Sequence, residues 1–129
     1  MRFALPAVLI ALTAAAPALA TGGYQCRPVS GAGPSLSVVT GRTVAPVVVQ
    51  ASIVESGRTF TTAGEGARLS VAQSWIDEDG IKLDLIDAQA TRFEARLRAR
   101  FVKTRFGREA TGTLSRGGRV YRVRCAVDV

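Results

Sequence analysis

Short stretches of this chain alternate apolar and polar residues, the two-residue period of a strand with one face on a core. Over Val47–Ile53 the apolar set is Val47, Val49, Ala51 and Ile53, with Val48 and Val54 breaking the opposite side. Ile81, Leu83 and Leu85 alternate with Lys82 and Asp84, and Tyr121, Val123, Cys125 and Val127 with Arg122 and Arg124. Turn residues fall between the stretches. Asp77-Glu78-Asp79-Gly80 separates Leu69–Ile76 from Ile81–Leu85, and Gly117-Gly118 separates Ala110–Leu114 from Val120–Val127; both are hairpin signals. Gly64-Glu65-Gly66 and Gly31-Ala32-Gly33-Pro34 mark further loops. The pattern predicts an all-β fold, a small antiparallel β-barrel or β-sandwich of about seven to nine short strands.

One stretch carries two periods. From Arg92 to Phe101 every even position is charged (Arg92, Glu94, Arg96, Arg98, Arg100) and every odd one apolar (Phe93, Ala95, Leu97, Ala99, Phe101). Phe93, Leu97 and Phe101 also fall at helical spacing, and Glu94–Arg98 is a favourable helical pair. Residues 92–104 are thus open to either reading. Strand is favoured because all ten positions of Arg92–Phe101 fit the shorter period and hairpin-like segments surround them. A strand here points the arginines outward and the aromatics inward.

Residues 1–20 stand apart. Arg2, an apolar run from Phe3 to Leu12 and the ending Ala18-Leu19-Ala20 form the pattern of a cleaved secretory signal peptide. Its removal leaves 21–129, 109 residues with net charge +6, as a single β-domain. The expected location is the periplasm or extracellular space, with no transmembrane span after cleavage. Export also bears on Cys26 and Cys125, the chain's only cysteines. An even count without a Cys-x-x-Cys spacing predicts a structural disulfide tying the first strand to the last.

Candidate chemistry is sparse. The absence of His removes a Ser-His-Asp triad, a His general base and any His-ligated metal. Counted as a calcium loop from Asp77, positions six and twelve hold Lys82 and Ala88 instead of Gly and Glu, so a solvated turn is the better reading. Glu55, Glu65, Glu94 and Glu109 show no spacing that would pair two carboxylates for hydrolysis. Lys82 and Lys103 lie in no Ser-x-x-Lys arrangement, and no glycine cluster matches a phosphate-binding loop. No catalytic residue, cofactor or metal is assigned, and a non-enzymatic role is expected.

Charge carries the sharpest clue. The chain has net charge +7, unevenly spread: residues 92–124 hold eleven basic groups and two acids, residues 55–91 three bases and seven acids. Arg92, Arg96, Arg98, Arg100, Arg122 and Arg124 are the candidate anion-binding residues, since guanidinium forks suit phosphate and carboxylate. An exported chain meets anionic lipid, polysaccharide or an acidic protein rather than nucleic acid. Nucleic acid is further disfavoured because Phe93, Phe101 and Tyr121 read as core residues and not as stacking platforms. Solvated strand faces, partly neutralised by Asp84 and its neighbours, are the competing explanation. Trp75, the only Trp, reads as a core plug or rim residue. The expectation is a monomeric binding or envelope-associated module; an inhibitor of an acidic exported hydrolase is the alternative, and a carboxylate-based hydrolase a weaker one.

The plan of leader, Tyr24-Gln25-Cys26 and a late Cys125 resembles, in outline, the periplasmic inhibitors of C-type lysozyme, small β-barrels that block the enzyme's cleft with a loop. The likeness covers the outline and the Tyr-x-Cys start. Ser30-Gly31-Ala32 stands far earlier than that family's Ser-Gly loop and lacks the Tyr that follows it there. A strongly basic inhibitor would also repel a basic lysozyme, and no inhibitory residue is assigned.

Overall fold

The computed structural model describes residues 21–42, 46–64 and 67–128; the leader pattern of residues 1–20 lies outside them. Among the described residues there are nine strands and no helix: β1 (Thr21–Pro28), β2 (Ser35–Arg42), β3 (Pro46–Glu55), β4 (Arg58–Thr61), β5 (Leu69–Ile76), β6 (Gly80–Asp87), β7 (Phe93–Thr104), β8 (Gly107–Arg116) and β9 (Arg119–Asp128). The ambiguous stretch is thus a strand, the twelve-residue β7.

Turn chemistry explains the reversals. Gly117 and Gly118 both adopt positive φ (59° and 76°), so Arg116 faces Arg119 across a two-residue turn. At the acidic turn, the Asp77 carboxylate accepts from the backbone N–H of Asp79 (2.8 Å) and Gly80 (3.0 Å). Its other oxygen accepts from Trp75 Nε1 at 2.8 Å. These bonds hold the Asp77 carboxyl below the ordinary carboxylate range, the Trp75 bond most of all.

All nine strands join one antiparallel sheet in the order β4-β3-β2-β1-β9-β8-β7-β6-β5. The sheet curls into a nearly closed barrel. An odd number of strictly antiparallel strands leaves its two edges, β4 and β5, running in the same direction, so the antiparallel ladder cannot continue across the seam. There the Arg68 N–H donates to the Thr61 carbonyl at 3.1 Å. The terminal strands β1 and β9 meet in the middle of the sheet, where Cys26 lies opposite Cys125 and is disulfide-bonded to it. The cystine is buried with Leu36, Val38, Ile53, Leu83, Leu97, Leu114 and Val123 in the barrel interior.

Two irregularities redirect side chains that strict alternation places otherwise. Between β2 and β3 the register slips at Val39/Thr40, so that Gln50 faces Val39 and Val48 faces Thr40. Val48 then packs on the core, while Val47 and Val49, expected inside, are exposed. Between β6 and β7, Leu85 pairs with Ala95 but Ile86 with Phe93, leaving Glu94 as the extra residue of a bulge. Phe93 is thereby turned out, 53% exposed, and Glu94 is turned in, reversing the expected orientation of both. Phe101 and Tyr121 do pack against the core.

Candidate functional site: the outer face of β7, β8, β9 and β1

Strand alternation and register together build this face. Arg96, Arg98 and Arg100 point outward from β7, Thr111, Thr113 and Ser115 from β8, Arg122 and Arg124 from β9, and Arg27 from β1. Pairing aligns them into rows: Arg100, Thr111, Arg124 and Arg27 form one, and Lys82, Arg98, Thr113 and Arg122 the next. The short hydroxyl side chains of β8 therefore form a floor between two arginine-bearing strands. On one side of β8 lies a groove of about 540 Å³, lined in part by Trp75, Lys82, Arg98, Arg100, Thr111 and Thr113. On the other is one of about 390 Å³, lined by Val29, Thr111, Gly112, Thr113, Arg122, Val123 and Arg124.

The six arginines singled out from the sequence divide into two groups. Arg98 grips Asp84 through both guanidinium nitrogens (Nη1 to Oδ1 2.8 Å, Nη2 to Oδ2 3.2 Å), and Arg96 Nε donates to the same carboxylate at 3.2 Å. Asp84 is only 2% exposed although it sits on the outer face, because these two side chains cover it. Its carboxyl is held below the usual range, mainly by the Arg98 hydrogen bond, against the opposing effect of burial. Arg96 also stacks over the outward Phe93 ring at 4.4 Å. Arg92 donates to Glu94 at 2.7 Å, which raises its pKa further. These three are taken up by the fold's own acids.

The second group is different. Among the described residues, Arg100 and Arg122 form no side-chain hydrogen bond or ion pair, and Arg124 only a long contact to Glu109 (3.8 Å). Arg27, which the sequence reading did not single out, is also unpaired there and lies directly opposite Arg124. One signal in the sequence pointed to it. If Cys26 and Cys125 are directly opposed on antiparallel strands, the next pair is Arg27 and Arg124.

Two carboxylates with no telling spacing in the chain, Glu55 and Glu94, do converge. Arg116 Nε donates to Glu55 Oε2 at 2.6 Å, and its Nη1 donates to the Glu94 carbonyl (3.0 Å) and to Glu94 Oε2 (3.3 Å). The guanidinium also stacks over Phe60 at 4.9 Å. The Glu94 bulge makes this arrangement, which ties β8 to β3 and β7 at the end of the barrel. Chemically it is a clasp: the cation lies between the acids and shares its donors with both.

Trp75, expected as a core plug or rim residue, is 59% exposed on the outside of β5, its indole fixed by Asp77. Its place on an edge strand opposite the outward Lys82 explains this. Among the described residues, no group of three or more His, Cys, Asp or Glu is placed to hold a metal, and no helix is long and apolar enough to cross a membrane. Comparison of the chain with protein-family models, with curated proteins and with solved structures gives no significant match.

Proposed function

We propose that this protein is an exported, non-enzymatic binding module whose arginine-bearing outer face meets an anionic surface, acidic lipid or acidic polysaccharide. One observation carries the reading: the row Arg100, Thr111, Arg124, Arg27. Like charges directly opposite on neighbouring strands, as Arg27 and Arg124 are, destabilise a sheet. Folding does not need that pair, whereas an anion held between Arg27 and Arg124 would turn the repulsion into attraction, with Arg100 a further cation across the Thr111 hydroxyl in the same row. The leader pattern supports export, and the Cys26–Cys125 disulfide is compatible with an oxidising compartment. The non-enzymatic side of the proposal is supported by Glu55 and Glu94, whose convergence is occupied by Arg116.

The test is binding to vesicles containing acidic lipid and to an acidic polysaccharide at low and high ionic strength. Binding is expected to weaken steeply with salt, because exposed charges are screened. Arg100→Glu with Arg124→Glu is expected to weaken it by at least roughly tenfold, at about 1 kcal/mol per cation near an anionic surface. Binding to neither target, or binding indifferent to salt, would overturn the proposal.

A further inference from the structure

The longest hairpin, β7–β8, outgrows the barrel. The pairing of β6 with β7 ends at Gly80 and Arg100, and the Phe101 N–H still donates to the Asp79 carbonyl at 2.8 Å. On the other side, the pairing of β8 with β9 begins only at Glu109. The pairs Lys103–Arg108 and Thr104–Gly107 therefore have no neighbouring strand, and the tip stands roughly 10 Å beyond the last bond to Asp79, at about 3.3 Å per residue. At that tip is Phe106, 95% exposed. The turn is held by its own bonds, Phe106 N–H to Thr104 Oγ1 (3.3 Å) and Thr104 Oγ1–H to the Gly107 carbonyl (3.0 Å). Lys103 and Arg105 are exposed beside Phe106 in the chain, and residues 103–108 contain no acid; Arg108 instead lies back over Phe101 at 4.7 Å, in a depression it shares with Asp77 and Asp128.

We propose that this tip is a membrane-interface anchor, inserting Phe106 into an anionic bilayer while Lys103 and Arg105 remain among the lipid phosphates. The inference rests on the anionic-surface reading above and assigns its target to lipid. An exposed apolar ring flanked in the chain by cations fits the boundary between headgroups and acyl chains. The projection is on the scale of the headgroup layer, which is about 5–8 Å deep on each side of a bilayer. A protein partner fits less well, because a two-residue turn presents far less than the roughly 800 Å² per side of a standard interface. A soluble polyanion has no use for the ring.

The probes are vesicles of phosphatidylglycerol with phosphatidylcholine, vesicles of phosphatidylcholine alone, and heparin as a soluble polyanion. The wild-type protein is expected to bind the anionic vesicles, and Phe106→Ala to bind them about tenfold more weakly with heparin binding unchanged. In a Trp75→Phe background, Phe106→Trp is expected to blue-shift its emission on adding anionic vesicles. Equal vesicle binding by wild type and Phe106→Ala, or an unshifted Phe106→Trp spectrum, overturns the anchor while leaving the arginine face standing. Binding to heparin but not to the vesicles does the same. Binding to none of the probes defeats both proposals.

Discussion

Asp84 shows how a single acid sets the electrostatics of a basic surface. It is almost wholly covered, yet what covers it is two half-exposed arginines rather than apolar groups. Its charge is compensated by three charge-assisted hydrogen bonds, the shortest from Arg98 Nη1 at 2.8 Å. Replacing it leaves Arg96 and Arg98 facing each other without their anion, and Asp84→Asn is expected to cost about 2 kcal/mol in denaturant unfolding. The pH dependence follows from the lowered carboxyl pKa. The unfolded chain takes up this proton first, near pH 4, so the stabilisation is complete above that value and is lost as pH falls through the lower native pKa. Acid titration of stability should therefore be shallower in Asp84→Asn. A remaining slope is expected from Asp77 and Asp87, whose carboxyls are lowered by hydrogen bonds from Trp75 and Thr91 respectively.

At the scale of elements, the close approach of β7 and β8 shapes the grooves. Gly112 pairs with Ala99, and a Cβ on it would lie 1.9 Å from the Arg98 carbonyl oxygen and 2.6 Å from Ala99 Cα. Both obstacles are backbone, so a side chain at this position forces the strands apart rather than merely displacing a neighbour. Gly112→Ala is expected to destabilise by about 2 kcal/mol and to lower anion affinity as well, since Thr111 and Thr113 flank it in both grooves. Thermal unfolding and vesicle binding measured on one preparation check both effects. The bulge at Glu94 works in the opposite sense, spending one residue of β7 to bring a carboxylate under Arg116 and expose Phe93.

For the whole molecule, the pairing of β1 with β9 decides integrity. The seam between β4 and β5 lacks a continuous ladder, so the sheet depends on the join between its terminal strands. The disulfide there spans 99 residues, and closing a loop of that size limits the unfolded chain's entropy by about 4–5 kcal/mol. Cys26→Ser with Cys125→Ser is expected to lose most of that, seen as a lower midpoint in denaturant. Partial unfolding should start at β1 and β9, where hydrogen exchange would detect it. Loss of this join also separates Arg27 from Arg124, so anion binding should fall together with the fold.

Several features are settled locally and were legible in the sequence. Alternation at Ile81–Leu85 and Tyr121–Val127, the Asp-Gly and Gly-Gly turns and the two cysteines suffice for an all-β chain closed by a disulfide. Each is a statement about neighbours in the chain, where side-chain period and turn chemistry act directly. Side-chain orientation beyond a bulge is not of that kind. Phe93, Val47 and Val49 face outward because one residue of slip reverses every later position, and that slip is set by the partner strand. Charge balance is equally nonlocal. The arginines of β7 and β9 look alike in sequence, yet Asp84 claims Arg96 and Arg98, while β9 is flanked by β1 and the threonines of β8 and leaves Arg122 and Arg124 turned to solvent. The sequence by itself determined how many charges the strands carry and on which alternating positions. Only the order of strands in the nearly closed sheet decided which of them cancel, because ion pairing falls off over a few ångströms and register alone sets those distances.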